Sequence, residues 1–459
     1  MKKYLLHIIL VIFVAGCEED ESTTGDTTNT IVPFSQELDW VKTFGGSDED
    51  EATSVIHLPD GGLAVLGNTR STDGDFAGRT GNDKDFVLMR IDAEGNLIWS
   101  QFYGGSQNDE ASDLILTNDG GFAMIGSTRS GDDNPTTFDG DVNINNGFYD
   151  YWMVKTDLNG TIQWQKTFGF DGSDRGQALI QTKDGGYFLT GYFDVTASGG
   201  QGNEDGKITS IKSAEHGIGE FWGIKLNIKG ELEWRRYFGG TNNDQSYDVV
   251  ENQSGNFILM GHTESEDFDI SQTNGSYEYW VVAVDQAGNK LWENTYGGSA
   301  IDQGKAITML PNGDMMLIGV TRSNDGDISN SNGENADAWL VQIDQEGTLL
   351  NEYTYGGTGF DSAQSIIASP TNLFIAGNTR SEDIDGIVNN GQNDAWILML
   401  ELEGNVIWQE TIGGSGLDFF NAFTFTENNV LYVVGSTEST DGDIAVNKGG
   451  KDILLVKYK

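Results

Sequence analysis

The chain has 459 residues and carries 71 aspartates and glutamates against 26 lysines and arginines, a formal net charge of −45. Phosphate neutralisation needs a basic face, so this balance argues against a nucleic-acid ligand and disfavours anionic lipid headgroups. Cations, neutral glycans and basic proteins remain, and an acidic surface also serves simply to keep a protein soluble.

Residues 1–16 read as a signal peptide. Met1-Lys-Lys3 is a basic start, Tyr4 to Val14 is an apolar stretch too short to span a bilayer, and Val14-Ala15-Gly16-Cys17 is similar to a bacterial lipobox. Cys17, the one cysteine, is therefore the expected site of lipidation, and a secretory leader with a chance cysteine is the alternative. Residues 17–36, rich in Thr, Asp and Glu, are expected to form an acidic flexible tether. The run Glu18-Glu-Asp-Glu21 resembles the tether that sends lipoproteins of some Gram-negative bacteria to the outer face of the outer membrane. That resemblance implies a surface-exposed outer-membrane lipoprotein. Without its leader the chain keeps 71 acidic residues against 24 basic ones, a net charge near −47.

From residue 37 onward one unit of about sixty residues recurs seven times, and such a period must be read before anything else. In the first unit, Gly45-Gly-Ser47 and Asp50 precede four strand-like runs rich in Val, Ile, Leu and aromatics. The first two runs are joined by Asp60-Gly-Gly62 and the last two by Asp92-Ala-Glu-Gly95-Asn, turns that tolerate positive φ. All eleven tryptophans fall on two positions of the unit. Trp40, Trp99, Trp164, Trp234, Trp292 and Trp408 lie in the last run, and Trp152, Trp222, Trp280, Trp339 and Trp396 follow an acid by two residues. Four antiparallel strands in each of seven units predict an all-β, seven-bladed β-propeller. The blades are expected at 47–105, 106–170, 171–240, 241–298, 299–357, 358–414 and 415–459 plus 37–46. The last unit stops after its third strand, and Glu37-Leu-Asp-Trp40 begins the missing fourth, so the N-terminal strand should close the ring. An open solenoid, the alternative, would not need to divide a unit between its ends.

The run Gly-Gly-Ser-x-x-Asp followed by Gly-x-Thr-x-Ser resembles the β-propeller repeat of many bacterial secreted and surface proteins, over residues 37–459. That resemblance implies the fold and little about function. The Asp-x-x-Gly-Asn-x-x-Trp hairpins are similar to the tryptophan-docking repeats of quinoprotein propellers and of outer-membrane assembly scaffolds. Quinoprotein dehydrogenases carry a vicinal cysteine pair, and this chain has a single cysteine.

In an antiparallel meander the links between blades and those between second and third strands share one face, called the top here. Two rings of acids should stand there. Asp50, Asp109, Asp174, Asp244, Asp302, Asp361 and Asp418 occupy the interblade links, and a sevenfold acid points to turn backbones rather than to a ligand. Asp85, Asp150, Glu220, Glu278, Asp337, Asp394 and Asp452 end the second link. Arg70, Arg129, Arg322 and Arg380 are placed to pair with these acids and tie blades together, although Glu264 and Glu438 replace the arginine in two units. The acid pairs Asp73/Asp75, Asp325/Asp327 and Asp441/Asp443, with Asp267/Asp269 and Asp383/Asp385, could share a hard cation. Calcium is the candidate, with Asp-Gly turn formation as the competing explanation. No other cofactor is indicated.

Ligand sites in pseudo-symmetric rings form where symmetry breaks. The second unit lengthens its top link from Gly131 to Tyr149, and the third inserts Tyr192 to His216 and drops Gly-x-Thr-x-Ser. Loops on a rigid scaffold carry function, so Phe148, Tyr149, Tyr192, Phe193, Asp194, Glu204, Asp205 and His216 are the candidate ligand-binding residues. Small residues at Ala52, Ala111, Gly176, Ser246, Gly304 and Ala363 are read as lining the channel, which Phe420 would narrow. The spacing marks no carboxylate pair for glycoside hydrolysis, and no catalytic residue is assigned. The expected function is therefore a monomeric, non-enzymatic binding module for a glycan or protein partner. A polysaccharide-acting hydrolase or lyase, and a passive envelope scaffold, are the alternatives.

Overall fold

The computed structural model describes residues 34–131, 147–205, 216–331 and 335–459. Cys17 and the leader lie outside these residues, as do the middle of the second blade's long link and the side chain of Asp205. Among the described residues no helix is long and apolar enough to cross a membrane.

Seven antiparallel sheets follow one another around a ring, and their boundaries match the seven units. In the first blade the strands run from Asp50–His57, innermost, through Leu63–Thr69 and Asp85–Ile91 to Leu97–Tyr103 at the rim. The two middle strands are buried along their whole length because both faces pack on neighbouring blades, which explains their unbroken apolar runs. The last blade, Asp418–Phe425, Leu431–Thr437 and Asp452–Tyr458, takes Leu38–Phe44 as its outermost strand. The register runs from Leu38 opposite Tyr458 to Phe44 opposite Ile453, so the two ends of the chain close the ring as the sequence implies. Ordered packing starts slightly before residue 37. Phe34, assigned above to the tether, stands edge-on to Phe374, Trp408 and Phe425 at 5.7–5.9 Å.

The two sets of tryptophans fasten blade to blade. Trp152, Trp222, Trp280, Trp339 and Trp396 are fully buried, and four of them meet an aromatic ring of the preceding blade, as in Phe86–Trp152 at 4.8 Å and Phe221–Trp280 at 4.5 Å. The outer-strand tryptophans dock on the bottom hairpin of the next blade. A Cβ on Gly95 would stand 2.8 Å from the Trp40 ring, and on Gly230 2.9 Å from Trp164, so glycine is needed there for room as well as for its positive φ. The Tyr103 hydroxyl adds a bond to the Gly160 carbonyl of the following blade, 2.7 Å.

Each innermost strand carries a bulge. The register shifts after Ala52, Ala111, Gly176, Ser246, Gly304, Ala363 and Phe420, and the residue that follows is the extra one. These extra residues are Thr53, Ser112, Gln177, Tyr247, Lys305, Gln364 and Asn421, and all seven line the central channel. This corrects the reading of the small residues. Ala52 and Phe420 are fully buried among blade-to-blade contacts; Phe420 packs with Phe374, Ala376 and Ile397 of the sixth blade rather than narrowing the channel. With faces alternating along a strand, the channel wall belongs mostly to their sequence neighbours, and of the small residues only Ala111 is among its lining.

Candidate ligand site at the top of the channel

The top face is built on a backbone problem that recurs at every junction: the N–H groups of the Gly-Gly-Ser turn point inward and need acceptors. In the first blade the Gly46 N–H donates to Asp50 (2.8 Å), Gly45 to Asp75 (3.0 Å), Ser47 to Asp73 (2.7 Å) and Asp48 to the Ser71 hydroxyl (3.0 Å). Asp50 in turn accepts from the hydroxyls of Thr69 (2.5 Å) and Ser71 (2.7 Å). The same set recurs around Asp302, with Asp327, Asp325 and Ser323, and around Asp418, with Asp443, Asp441 and Ser439. Asp109, Asp244 and Asp361 hold their threonine and serine partners likewise. Asp174 is the exception, taking the N–H groups of Phe170 (2.8 Å) and Asp194 (2.9 Å) because the third blade lacks the Thr-x-Ser pair. The first acid ring is thus structural.

The cation reading of Asp73, Asp75, Asp325, Asp327, Asp441 and Asp443 is not supported by this geometry, since each carboxylate is an acceptor for a turn N–H. The Ser47 and Ser299 backbone bonds hold Asp73 and Asp325 below the usual carboxylate range. No group of three or more His, Cys, Asp or Glu side chains that could hold a metal ion forms among the described residues. The arginine reading is also corrected. Thr and Ser hydroxyls, not guanidinium groups, fill the first ring. Arg70 lies 4.0 Å from Glu49, Arg129 and Arg380 sit over Phe148 and Phe360, and Arg322 meets Asp302 through its backbone N–H at 3.3 Å.

The second ring stands behind the first, with the leading glycine of each turn between them. A side chain on Gly104 would overlap Asp85 and come within 2.9 Å of Asp109. Burial pushes Asp85 up to about 7, and Asp394 and Asp452 up to about 6. One oxygen of each of these three has no hydrogen-bond partner among the described residues. Asp85 alone among them is ion-paired, with Arg79 at 2.6 Å.

Inside the rings the channel opens to the top as a polar cavity of about 320 Å³. Its wall is lopsided. Glu110 and Arg175 form an ion pair, the Arg175 guanidinium lies 3.7 Å above the Tyr149 ring, and the Tyr149 hydroxyl donates to Glu110 at 3.2 Å. Tyr192 is the cross-strand neighbour of Arg175. Beside them Glu51 faces Lys84 (3.6 Å) and Lys451 (3.3 Å); burial alone would raise its carboxyl, but the two ammonium groups outweigh it and hold it low. Gln364 and Asn421 offer only neutral groups on another part of the wall.

The predicted ligand residues therefore separate. Tyr149 and Tyr192 stand behind the mouth as neighbours of Arg175, and neither lines the cavity itself. Phe148 stays exposed on the top rim. Phe193 is fully buried and stacks on Trp222 at 4.6 Å, so it belongs to the core. Asp194 caps the short helix Val195–Ser198 by accepting from the Ala197 N–H at 2.8 Å. Glu204–Asp205 adds a fifth strand to the outer edge of the third blade opposite Trp234 and Arg235, with Glu204 ion-paired to Arg235 at 2.9 Å. Residues 204–205 of the insertion thus lie at the outer edge of the blade, away from the mouth. His216 packs on Phe268 (4.6 Å) beside buried Glu220 (3.3 Å). Sequence reasoning missed Glu51, Glu110 and Arg175, whose signal was a charged residue following the first-ring acid in three consecutive blades.

No family model matches the chain. A curated relative, the regulatory protein FlaEY of Caulobacter vibrioides, is 23% identical over 386 residues, which cover 79% of this chain and 39% of the relative. The chain thus spans well under half of that protein's length. Similar solved structures include BamB from Moraxella catarrhalis, 15% identical over 91% of this chain and 85% of that one, with a TM-score of 0.39. A protein of unknown function from Dyadobacter fermentans is 13% identical over 92% of this chain and 98% of its own, with a TM-score of 0.42. Likenesses at this level carry no argument about function, and the propeller is read from this chain's own strands.

Proposed function

We propose that this propeller is a non-enzymatic binding module that takes the end of a glycan chain into the top mouth of its channel. The observation that carries the reading is the lopsided wall, where the Glu110–Arg175 pair, backed by Tyr149, and Glu51 with its lysines stand on one side and the neutral Gln364 and Asn421 elsewhere on the wall. Such a cavity offers fixed donors and acceptors to a hydroxylated ligand. A surface lipoprotein anchored through Cys17 fits this use. The first strand enters the ring from the bottom, which turns the top face away from an anchor at the N-terminus.

A glycan array probed with residues 34–459 tests the reading, with Arg175→Met alongside. Binding that falls at least tenfold in the variant supports it; binding untouched by the variant, or absent from both, overturns it. A protein partner is the second reading, favoured by Phe148, Ile218 and Phe268, which stand 63%, 62% and 52% exposed on the rim of blades two to four. Pull-down by the Phe148→Ser/Phe268→Ser double variant distinguishes the two.

A further inference from the structure

The channel has a second chamber that the glycan reading does not use. Below the bulge ring it widens to about 450 Å³ and reaches toward the bottom face, past Ile56, Ile367 and Phe423. Thr53, Ser112, Gln177, Gln364 and Asn421 are shared with the upper chamber, and Tyr247 and Lys305 belong to the lower one alone. Lys305 is the feature without an explanation in the fold. Its ammonium lies 3.8 Å over the Tyr247 ring, and no carboxylate among the described residues stands within 4.0 Å of it. Burial drives its pKa down to about 8, as expected for a cation stripped of water without a counter-ion.

Two acids line the same chamber, and neither serves Lys305. Asp248 accepts from the N–H groups of Val249 (2.7 Å) and Ile307 (2.9 Å), and Asp113 from those of Leu114 (2.7 Å) and Leu179 (3.2 Å) and from the Ser54 hydroxyl (3.1 Å). Both carboxylates are turned into the wall, where they stitch the second blade to the third and the fourth to the fifth. Behind Tyr247 the His262 ring, at 5.4 Å, is kept neutral by burial and by Lys305 itself. An unpaired, partly desolvated cation is costly, and an anionic ligand removes that cost. The other side chains of the ring are amides and hydroxyls, which match sugar hydroxyls in both donor and acceptor sense.

We propose that the lower chamber binds a small carboxylated sugar of the uronic-acid class, its carboxylate on the Lys305 ammonium and its hydroxyls among Gln177, Gln364 and Asn421. The Tyr247 ring forms the floor beneath the ammonium and fixes its position. This site shares Gln177, Gln364 and Asn421 with the mouth and differs from it by Lys305 and Tyr247, so the carboxylate contact stands whether or not the mouth takes a glycan.

Calorimetry of the propeller with glucuronate, and with glucuronamide as its uncharged counterpart, tests the assignment. Glucuronate should bind at least tenfold more tightly than the amide. Lys305→Met should remove that preference without lowering the thermal midpoint of the ligand-free protein. Lys305→Arg, which keeps the charge and guards against misfolding of the methionine variant, should retain it. Equal affinity for the two probes, no heat with either, or undiminished binding by a folded Lys305→Met protein overturns the proposal. The mouth variant Arg175→Met should bind glucuronate as the wild type does. If it loses the ligand while Lys305→Met keeps it, the carboxylate sits at the mouth and the lower site is wrong, with the glycan reading untouched.

Discussion

The guanidinium of Arg175 in the third blade lies 3.7 Å above the ring of Tyr149 in the second, and the same guanidinium is ion-paired with Glu110 across the channel mouth. The three side chains come from two blades and hold one another in place. Replacing Arg175 by Met removes the pair but leaves Glu110 its tyrosine hydroxyl and its partial contact with solvent. The expected loss of stability is about 1 kcal/mol, because both side chains of the pair remain partly exposed. Ligand binding at the mouth should fall much further than the thermal midpoint does, and parallel melting and binding measurements separate the two.

The acid of the interblade link carries more of the fold. Asp302→Ala would strip acceptors from the Gly298 N–H and from the Thr321 and Ser323 hydroxyls at once. Several buried donors left unsatisfied should cost about 3 kcal/mol. Thr321→Val removes a single donor from the same network and should cost about 1 kcal/mol. Urea unfolding of the two variants checks the order, and equal losses would contradict the network.

Stability should rise as the solution is acidified from pH 8 toward pH 5.5. Burial raises Asp85 and Asp248 to about 7 and Asp244, Asp394 and Asp452 to about 6. A carboxyl raised on folding binds its proton more tightly in the native chain, so its contribution is lost as pH climbs through the folded value. His262, lowered to about 3 by burial, works the other way below pH 6.5, as does His57. Turn acids such as Asp60, Asp92 and Asp325 are held low and begin to weaken the fold only below about pH 4. A thermal midpoint that climbs between pH 5.5 and 8 would refute this balance.

Phe268 occupies a left-handed position, φ 52°, where three other blades have Gly74, Gly326 and Gly442. A side chain there costs about 1 kcal/mol relative to glycine. The ring recovers part of that by stacking on His216 at 4.6 Å. Phe268→Gly should therefore be close to neutral or mildly stabilising, whereas Phe268→Ala keeps the strain and loses the stack. Melting of the two variants tests the ranking, and an alanine variant as stable as the glycine one would mean that the backbone carries no strain.

The seven units, the closing strand and the turn-bracing place of the repeated Asp were legible in the sequence because each repeats and each repeat poses the same turn. Where the inner strands point was not. The two faces of a strand alternate, and nothing in Asp50-Glu-Ala52 says which of them meets the channel, so Ala52 and Phe420 were placed there in error while Glu51 and Glu110 went unnoticed. The bulge at Thr53, Lys305 and their equivalents depends on pairing with the second strand, which no single strand encodes. Phe193 was misplaced for a related reason, since an aromatic in an insertion looks exposed until Trp222 is seen beside it. The arginines of the Thr-Arg-Ser segments looked like partners for the acids, but Thr and Ser at i−1 and i+1 reach them first.

Closure by the first strand also determines how the molecule responds to force. Leu38–Phe44 lies antiparallel to Asp452–Tyr458, in continuous register from Trp40 to Phe44 and with a shift between Leu38 and Trp40, its N-terminal end at the bottom of the ring. A pull on the N-terminus directed along the strand loads those cross-strand bonds together in shear instead of peeling them one at a time. Phe34, wedged between Phe374, Trp408 and Phe425, would have to be drawn out before the load reached the strand. The seam of the ring is therefore also a mechanical clamp, placed where a tether would draw upon it.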